Sequence, residues 1–161
     1  MAGQKIEYAT LDQAQVDGIC DRHERLWSGR AGGARASFAY CILENLNLSN
    51  RDLSDADFSG AVLRGTNLAG ATLNSAIFFA ADLRRASLEG ACLRRADLRG
   101  AIMRGANLTG ADMTEADLRE GAIAQVDKEK GLAILTHTTQ QSDAGKANFS
   151  GANLSRSKMA G

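Results

Sequence analysis

Residues 81–100 read Ala-Asp-Leu-Arg-Arg, Ala-Ser-Leu-Glu-Gly, Ala-Cys-Leu-Arg-Arg, Ala-Asp-Leu-Arg-Gly. The same five-residue pattern runs outward from this stretch in both directions. A large apolar residue, always Leu, Phe, Met or Ile, recurs at every fifth position in one phase from Phe38 to Ile123. Two residues before it stands a small residue, usually Ala, and between the two usually Asp or Asn. A fixed period has to be read before any local propensity, because it makes every unit the same structural element. A period of five fits neither a 3.6-residue helix nor a two-residue strand alternation.

The pattern is met if each unit makes a short extended side followed by a turn. The central apolar residue and the Ala two before it then point inward, and the residue between them points out. Gly at the fifth position (60, 65, 70, 90, 100, 105, 110) suits a type II turn, whose third residue needs positive φ. Units ending in Asp55, Arg85, Arg95 or Glu115 are expected to make type I turns instead. Four such sides close a square of about twenty residues per coil, and coils stack at about 4.8 Å. The predicted inward ladders include Phe58, Leu63, Leu68, Leu73, Phe78, Leu83, Leu88, Leu93, Leu98, Met103, Leu108, Met113 and Leu118. They fill the interior and leave no space for a ligand.

These units, 81–100 above all, resemble the A(D/N)LXX repeats of the pentapeptide repeat proteins. The resemblance implies an all-β fold, a right-handed quadrilateral parallel β-helix. It implies little about function, because one scaffold serves unrelated roles and its signature residues are structural. Some family members are known to protect DNA gyrase or other topoisomerases by imitating the charge and shape of B-DNA, which implies a second functional possibility here.

Composition agrees with one soluble domain of 161 residues. Nineteen basic residues balance nineteen acidic ones, so no general attraction to nucleic acid or membrane follows. The sequence has no long apolar run or signal-peptide pattern, and a cytoplasmic location is expected. The absence of Pro suits a chain whose backbone N–H groups join ladders. His23 and His137 lie far apart, and Cys20, Cys41 and Cys92 show no CxxC spacing. Cys41 is expected inward, Cys92 outward, with no structural disulfide. No phosphate-binding loop, nucleophile elbow or metal motif is present. The expectation is a protein without catalytic, cofactor or metal sites, in which the outward Asp residues serve solubility.

Residues 1–33 precede the repeats, which occupy 34–161. Lys5–Tyr8 reads as a short edge strand, and Thr10 with Gln13 as a capping box. Leu11, Val16, Ile19, Cys20, His23, Leu26 and Trp27 then fall mostly on one helical face, and Gly29 ends the helix. A capping helix over the first coil would hide its edge and give Trp27 a place to pack. The other reading is a partner-binding helix.

Residues twenty apart are predicted to stack, which puts Glu44, Arg64, Arg84 and Arg104 in one column. Adjacent faces add Arg94, Arg95, Arg99 and Arg119, with Arg85 at a corner. Like charges about 5 Å apart repel unless something intervenes, and Asp82, Asp97, Asp112 and Asp117 are near enough to pair. The surface is then either a mixed solvated one or an anion-facing patch. Ile42, Val62, Ile77 and Ile102 stand in the outward slot usually held by Asp or Asn, and Phe79 follows Phe78. Their cluster reads as a contact surface, covered by the chain itself or by a partner. After Ile123 the phase breaks: an irregular insertion at about 124–146, with Lys128, Lys130 and His137, separates the regular units from those at Phe149, Leu154 and Met159. Such loops are where solenoids place recognition. No second helix closes the last coil, so a second copy or a continuation of the chain is expected there.

The favoured reading is a non-catalytic protein-interaction or scaffolding module, using the outer faces and the 124–146 loop to engage an unidentified protein partner. The alternatives are a gyrase-binding DNA mimic, which a neutral, arginine-bearing rod disfavours, and anion or nucleic-acid binding through the arginine columns, which the balanced charge disfavours. Burial of each inward Leu contributes about 1.5–3 kcal/mol. Leu88→Asp is therefore expected to unfold the middle coils while Arg84→Ser leaves the melting temperature nearly unchanged; thermal denaturation followed by circular dichroism checks both, and equal losses would mean the faces are misassigned.

Overall fold

The computed structural model describes residues 6–125, 136–140 and 143–159. Parallel bridges join residues twenty apart along four ladders: Ser37–Asp57–Ile77–Asp97–Asp117, Ile42–Val62–Asp82–Ile102, Asn47–Asn67–Ser87–Asn107 and Asp52–Thr72–Cys92–Asp112. Each coil thus has four sides, named here by their first inward residues: the Phe38, Leu43, Leu48 and Leu53 faces. Two backbone bonds tie each side to its neighbours, as at Val62 N–H to the Cys41 carbonyl (2.9 Å) and Leu63 N–H to the Asp82 carbonyl (2.8 Å).

Every corner is a four-residue turn, with Ala61 N–H on the Phe58 carbonyl (3.0 Å) and Ala86 N–H on the Leu83 carbonyl (3.0 Å). The third turn residue has positive φ whether or not it is Gly: Gly60 61°, Asp55 60°, Arg85 58°, Arg95 57°, Glu115 61°. The expected type I turns are therefore absent at these four units. The reason lies in the stack. Arg85 N–H donates to the Arg104 carbonyl one coil away (3.1 Å), and Asp55 N–H to that of Asn74 (2.9 Å). A type I turn flips that central peptide and aims its N–H away from the next coil. A left-handed conformation costs a non-Gly residue about 1–2 kcal/mol, which is offset by the ladder bond it makes, since a buried N–H left without a partner costs about 1–3 kcal/mol.

The interior is solid. The large inward residues at every fifth position from Phe38 to Met113 are at most 1% exposed and Leu118 is 8% exposed, while Cys41 and Leu46, in small slots of the first coil, are only partly buried. Phe38, Phe58 and Phe78 stack face to face with ring centroids 5.0 and 4.8 Å apart, the coil spacing itself. Thr66 takes an inward small slot and satisfies its hydroxyl on the Leu43 carbonyl (2.6 Å).

At the N-terminal end β1 (Ala9–Thr10) pairs in parallel with β2 (Cys41–Ile42), so the edge strand falls later than the expected Lys5–Tyr8. Helix α1 spans Gln13–Trp27, and its capping box is Asp12 with Gln15 rather than Thr10 with Gln13. Thr10 is not available for that role because its backbone is in the ladder with Ile42. Val16, Cys20 and His23 are the buried side of the helix. His23 Nδ1 accepts the Ala36 N–H (3.0 Å), and Nε2 lies 2.9 Å from the Ser54 carbonyl, so the Nε2–H tautomer satisfies both. Gln13 exchanges two bonds with the Asn47 backbone, and Arg51 reaches Asp21 (2.9 Å) and Glu24 (3.2 Å). Trp27 does not pack inside: it is 56% exposed, with its ring edge-on to His23. The chain then turns back so closely that a Cβ on Gly33 would overlap the Leu26 backbone.

At the other end β3 (Asp117–Leu118) is followed by β4 (Gly121–Gln125), which pairs antiparallel with β5 (Thr136–Gln140). Ile123 therefore belongs to a hairpin strand and not to a coil. Asp143 resumes the Leu43 ladder on Ile102, 41 residues earlier (143 − 102), as do Asn148 on Asn107 and Asn153 on Asp112, whereas the steps before the excursion are 20. The excursion thus begins before 124 and ends before 146. Its return is masked in the sequence because Ala144 fills the slot where Leu is expected, while Gly145 and Lys146 (φ 59°) form an ordinary corner. The last coil continues through Asn148 and Asn153, and β6 (Lys158–Met159) pairs with β3.

His23→Leu leaves the Ala36 N–H and the Ser54 carbonyl without their partner, with an expected loss of about 1–3 kcal/mol. Urea unfolding with Trp27 fluorescence as the probe measures it; an unchanged midpoint would show that the imidazole does not hold the helix.

Candidate functional site

A filled interior leaves the outer faces to act. Their chemistry starts from the outward Asp or Asn of many units, whose Oδ1 accepts the N–H two residues on: Asn47 from Ser49 (3.0 Å), Asn107 from Thr109 (3.1 Å), Asp97 from Arg99 (3.1 Å). These side chains brace the turns, a role beyond the solubility expected of them. Where the residue two on is Arg, the guanidinium folds back on the same carboxylate. Arg84 reaches Asp82 through Nε (2.8 Å) and a terminal nitrogen (2.6 Å), and Arg99–Asp97 and Arg119–Asp117 repeat the geometry. The Asp-Leu-Arg spacing at 82–84, 97–99 and 117–119 was the available signal for these local pairs.

The predicted column Glu44, Arg64, Arg84, Arg104 stacks along the turns of the Leu43 face, linked by Asn45 N–H to the Arg64 carbonyl, Gly65 N–H to Arg84 and Arg85 N–H to Arg104. Its repulsion is relieved by Asp82, which also accepts from Arg64 Nε (2.6 Å) and is only 8% exposed. Arg64 additionally lies 3.5 Å from Glu44, and Arg104 3.5 Å from Asp143. Burial alone would raise the Asp82 carboxyl, but hydrogen bonds from Arg84 and Arg64 outweigh it and hold the group below its usual range. Asp117 is lowered chiefly by Arg119 and Asp112 chiefly by the Thr114 hydroxyl.

The other predicted residues are dispersed. Arg94 is 4.0 Å from Asp112, while Arg85 and Arg95 are exposed corners with no side-chain partner among the described residues. Ile77, Val62 and Ile102 are half-buried, and Asp82 with its two guanidinium groups separates Val62 from Ile102 on the ladder. Phe79 lies under Arg99, whose guanidinium carbon is 5.6 Å from the ring centroid. The apolar cluster is therefore broken by charge and partly roofed by Arg99. Lys128 and Lys130 lie outside the described residues, and His137 is placed only as a β5 residue opposite Ala124. Among the described residues no His, Cys, Asp or Glu group is arranged to hold a metal ion, and no helix is long and apolar enough to cross a membrane. Burial pushes the Cys20 thiol up to about 11, leaving it a packed hydrophobe.

Pentapeptide repeats match residues 34–65, 41–78 and 81–119, in eight copies. The chain is a pentapeptide repeat protein. Proteins of this family adopt the right-handed quadrilateral β-helix. The pentapeptide repeat protein alr5209 from Nostoc PCC 7120 is 33% identical, with 71% of this chain and 83% of that one covered and a TM-score of 0.56. HetL, a pentapeptide repeat protein involved in heterocyst differentiation regulation in the cyanobacterium Nostoc sp. strain PCC 7120, is 26% identical over 78% of this chain, with a TM-score of 0.48. This chain spans about half of HetL, 52% of its length. Full-length QnrB1, a plasmid-mediated fluoroquinolone resistance protein, is 16% identical over 96% of this chain and 74% of its own, with a TM-score of 0.51, a likeness of fold. Among proteins of curated function, none matches this chain.

The lowered carboxylates stabilise the pentapeptide repeat rod above their ordinary titration range near pH 4, and that stability is lost as pH falls through the range toward their folded values. Asp82→Asn is expected to cost about 2 kcal/mol at neutral pH and much less at pH 3, where the native carboxylate is being protonated. Denaturant midpoints at the two pH values test this; a gap that stays constant would assign Asp82 no charge-dependent role. Arg84→Ser leaves Arg64 on the carboxylate, so its effect stays small.

Proposed function

We propose that this protein is a non-catalytic interaction module whose partners are proteins, engaged through the outer faces and the 121–140 hairpin. The observation that carries this reading is the contrast between a sealed interior and an elaborated exterior. The inward positions leave no cavity for a substrate, whereas charged side chains are held at fixed heights on the outside. The hairpin supports the reading in a second way, because it departs and returns without altering the coil register, so the rod has no structural use for it. We assign α1 the part of a cap: its bonds to Asn47, Ser54 and Ala36 cover the first coil, and an edge hidden in this way does not pair with other chains. A DNA-mimic role ranks below the protein-interaction reading, since a mimic needs a strongly negative surface and Asp82, Asp97 and Asp117 are neutralised by arginines.

The test is affinity capture from the native cell with the full chain and with a variant lacking residues 121–141. That deletion puts Ser142 directly after Glu120 and restores the twenty-residue step to Asp143. The expected result is a specific protein captured by the full chain and lost with the deletion, while circular dichroism shows an intact rod. No protein retained by the full chain would overturn the module reading, and retention by both forms would move the contact from the hairpin to the faces. Protection in a gyrase supercoiling assay would instead favour the mimic.

A further inference from the structure

The corner between the Leu43 and Leu48 faces carries an excess of positive charge that the rod does not use. Its corner positions run Asn45, Gly65, Arg85, Gly105 and Lys146, and the backbone ladder fixes the order through Gly65 N–H to Arg84, Arg85 N–H to Arg104 and Gly105 N–H to the Gly145 carbonyl. Glycine thus alternates with larger side chains; the space over Gly65 is taken by the Asn45 side chain, whereas Gly105 leaves a notch between Arg85 and Lys146. Arg85 leans toward the notch at Gly105, its Cγ 3.8 Å from where a Gly105 Cβ would be, while Arg104 Nε lies 3.6 Å from the equivalent point on Gly145, in the turn that ends at Lys146. The nearby carboxylates are already engaged. Asp82 accepts from both Arg64 and Arg84, and Asp143 accepts the Gly145 N–H at 2.9 Å with Arg104 3.5 Å away. Arg85 and Lys146 are exposed and have no side-chain partner among the described residues, and the Arg104 side chain is 59% exposed.

Resting on the interaction-module reading, we infer that this corner binds an acidic segment of the partner protein, extended along the rod axis with carboxylates three residues apart. Arg85 and Lys146 stand two coils apart, about 9.6 Å at 4.8 Å per coil, and a segment in the extended polyproline II conformation advances about 9.3 Å in three residues, one full turn, so that side chains three apart face the same way. Carboxylates at those positions meet one cation each, and Arg104 between them can take either in a forked contact. A nucleic-acid duplex fits less well. Its closely spaced phosphates extend over the neighbouring turns, where Glu44 and Glu89 are exposed, while the segment needs only the notch.

The experiment titrates a fluorescein-labelled peptide of about ten glutamates into the full chain at low and physiological salt and follows anisotropy, beside a labelled duplex of similar charge. The expected result is tighter binding of the peptide than of the duplex. Arg85→Glu with Lys146→Glu is expected to weaken the peptide at least about tenfold, whereas Arg94→Glu with Arg95→Glu, on the Leu53 side of the rod, changes it little. Arg85→Gln with Lys146→Gln, checked by melting temperature, gives a smaller loss in a variant that keeps the corner uncharged rather than reversed. Absence of peptide binding, tighter binding of the duplex, or equal losses from both pairs of reversals would overturn the inference. If the peptide fails while capture from the cell succeeds, the acidic-segment assignment falls alone; if capture fails as well, the module reading falls with it.

Discussion

The corner amide is the constraint on which this structure depends. At the third residue of every turn the N–H must point along the rod to the carbonyl of the next coil, as Arg85 does to Arg104 and Glu115 to Ser155. That requirement sets one backbone conformation at every corner, whatever side chain is there, and so makes the coils superimpose. Once they superimpose, inward residues of one column have to match in shape at a spacing of about 4.8 Å. The stacked rings of Phe38, Phe58 and Phe78 are the result, with 2° between the last two planes.

The same regularity produces an electrostatic problem and its solution. Identical slots in successive coils place like charges at hydrogen-bonding distance from each other's partners, and Arg64, Arg84 and Arg104 would repel along the column. Asp82 occupies an outward slot that the coils on either side of it give to Val62 and Ile102, and its two oxygens serve two arginines. A carboxylate at this position is half inside the ladder. It gains from the guanidinium groups more than it loses by leaving water, in contrast to freely solvated surface pairs, which contribute little. Electrostatics here serves the exterior's rigidity, which is what a binding surface without an interior needs.

Periodicity made the coil, its four faces and its inward ladders readable from residues alone, because one geometric rule governs every unit. Features set by contact between non-equivalent parts were not readable. The type I turns expected at Asp55, Arg85, Arg95 and Glu115 followed from intrinsic propensity, and ladder bonding overrode it. A helix lying over the first coil is expected to give Trp27 a place to pack, yet it presents Val16, Cys20 and His23 to the coil and leaves the indole at the rim. The return of the chain at Asp143 carries no mark in the sequence because Ala144 lacks the bulk that identifies a unit. On the surface, column membership of the arginines was legible, but which of them are already satisfied depended on carboxylate reach. Arg85 and Lys146 separate from Arg84 and Arg99 only in three dimensions.

The hairpin that leaves after Glu120 and rejoins at Asp143 has a wider meaning. Re-entry is governed by one slot on one ladder, not by the length of what was spliced in, so this corner is indifferent to its cargo. A solenoid of this type can therefore change what it displays by exchanging a peptide at a single vertex while the shaft stays the same. Descendants of such a chain would differ in ornament long before they differed in frame.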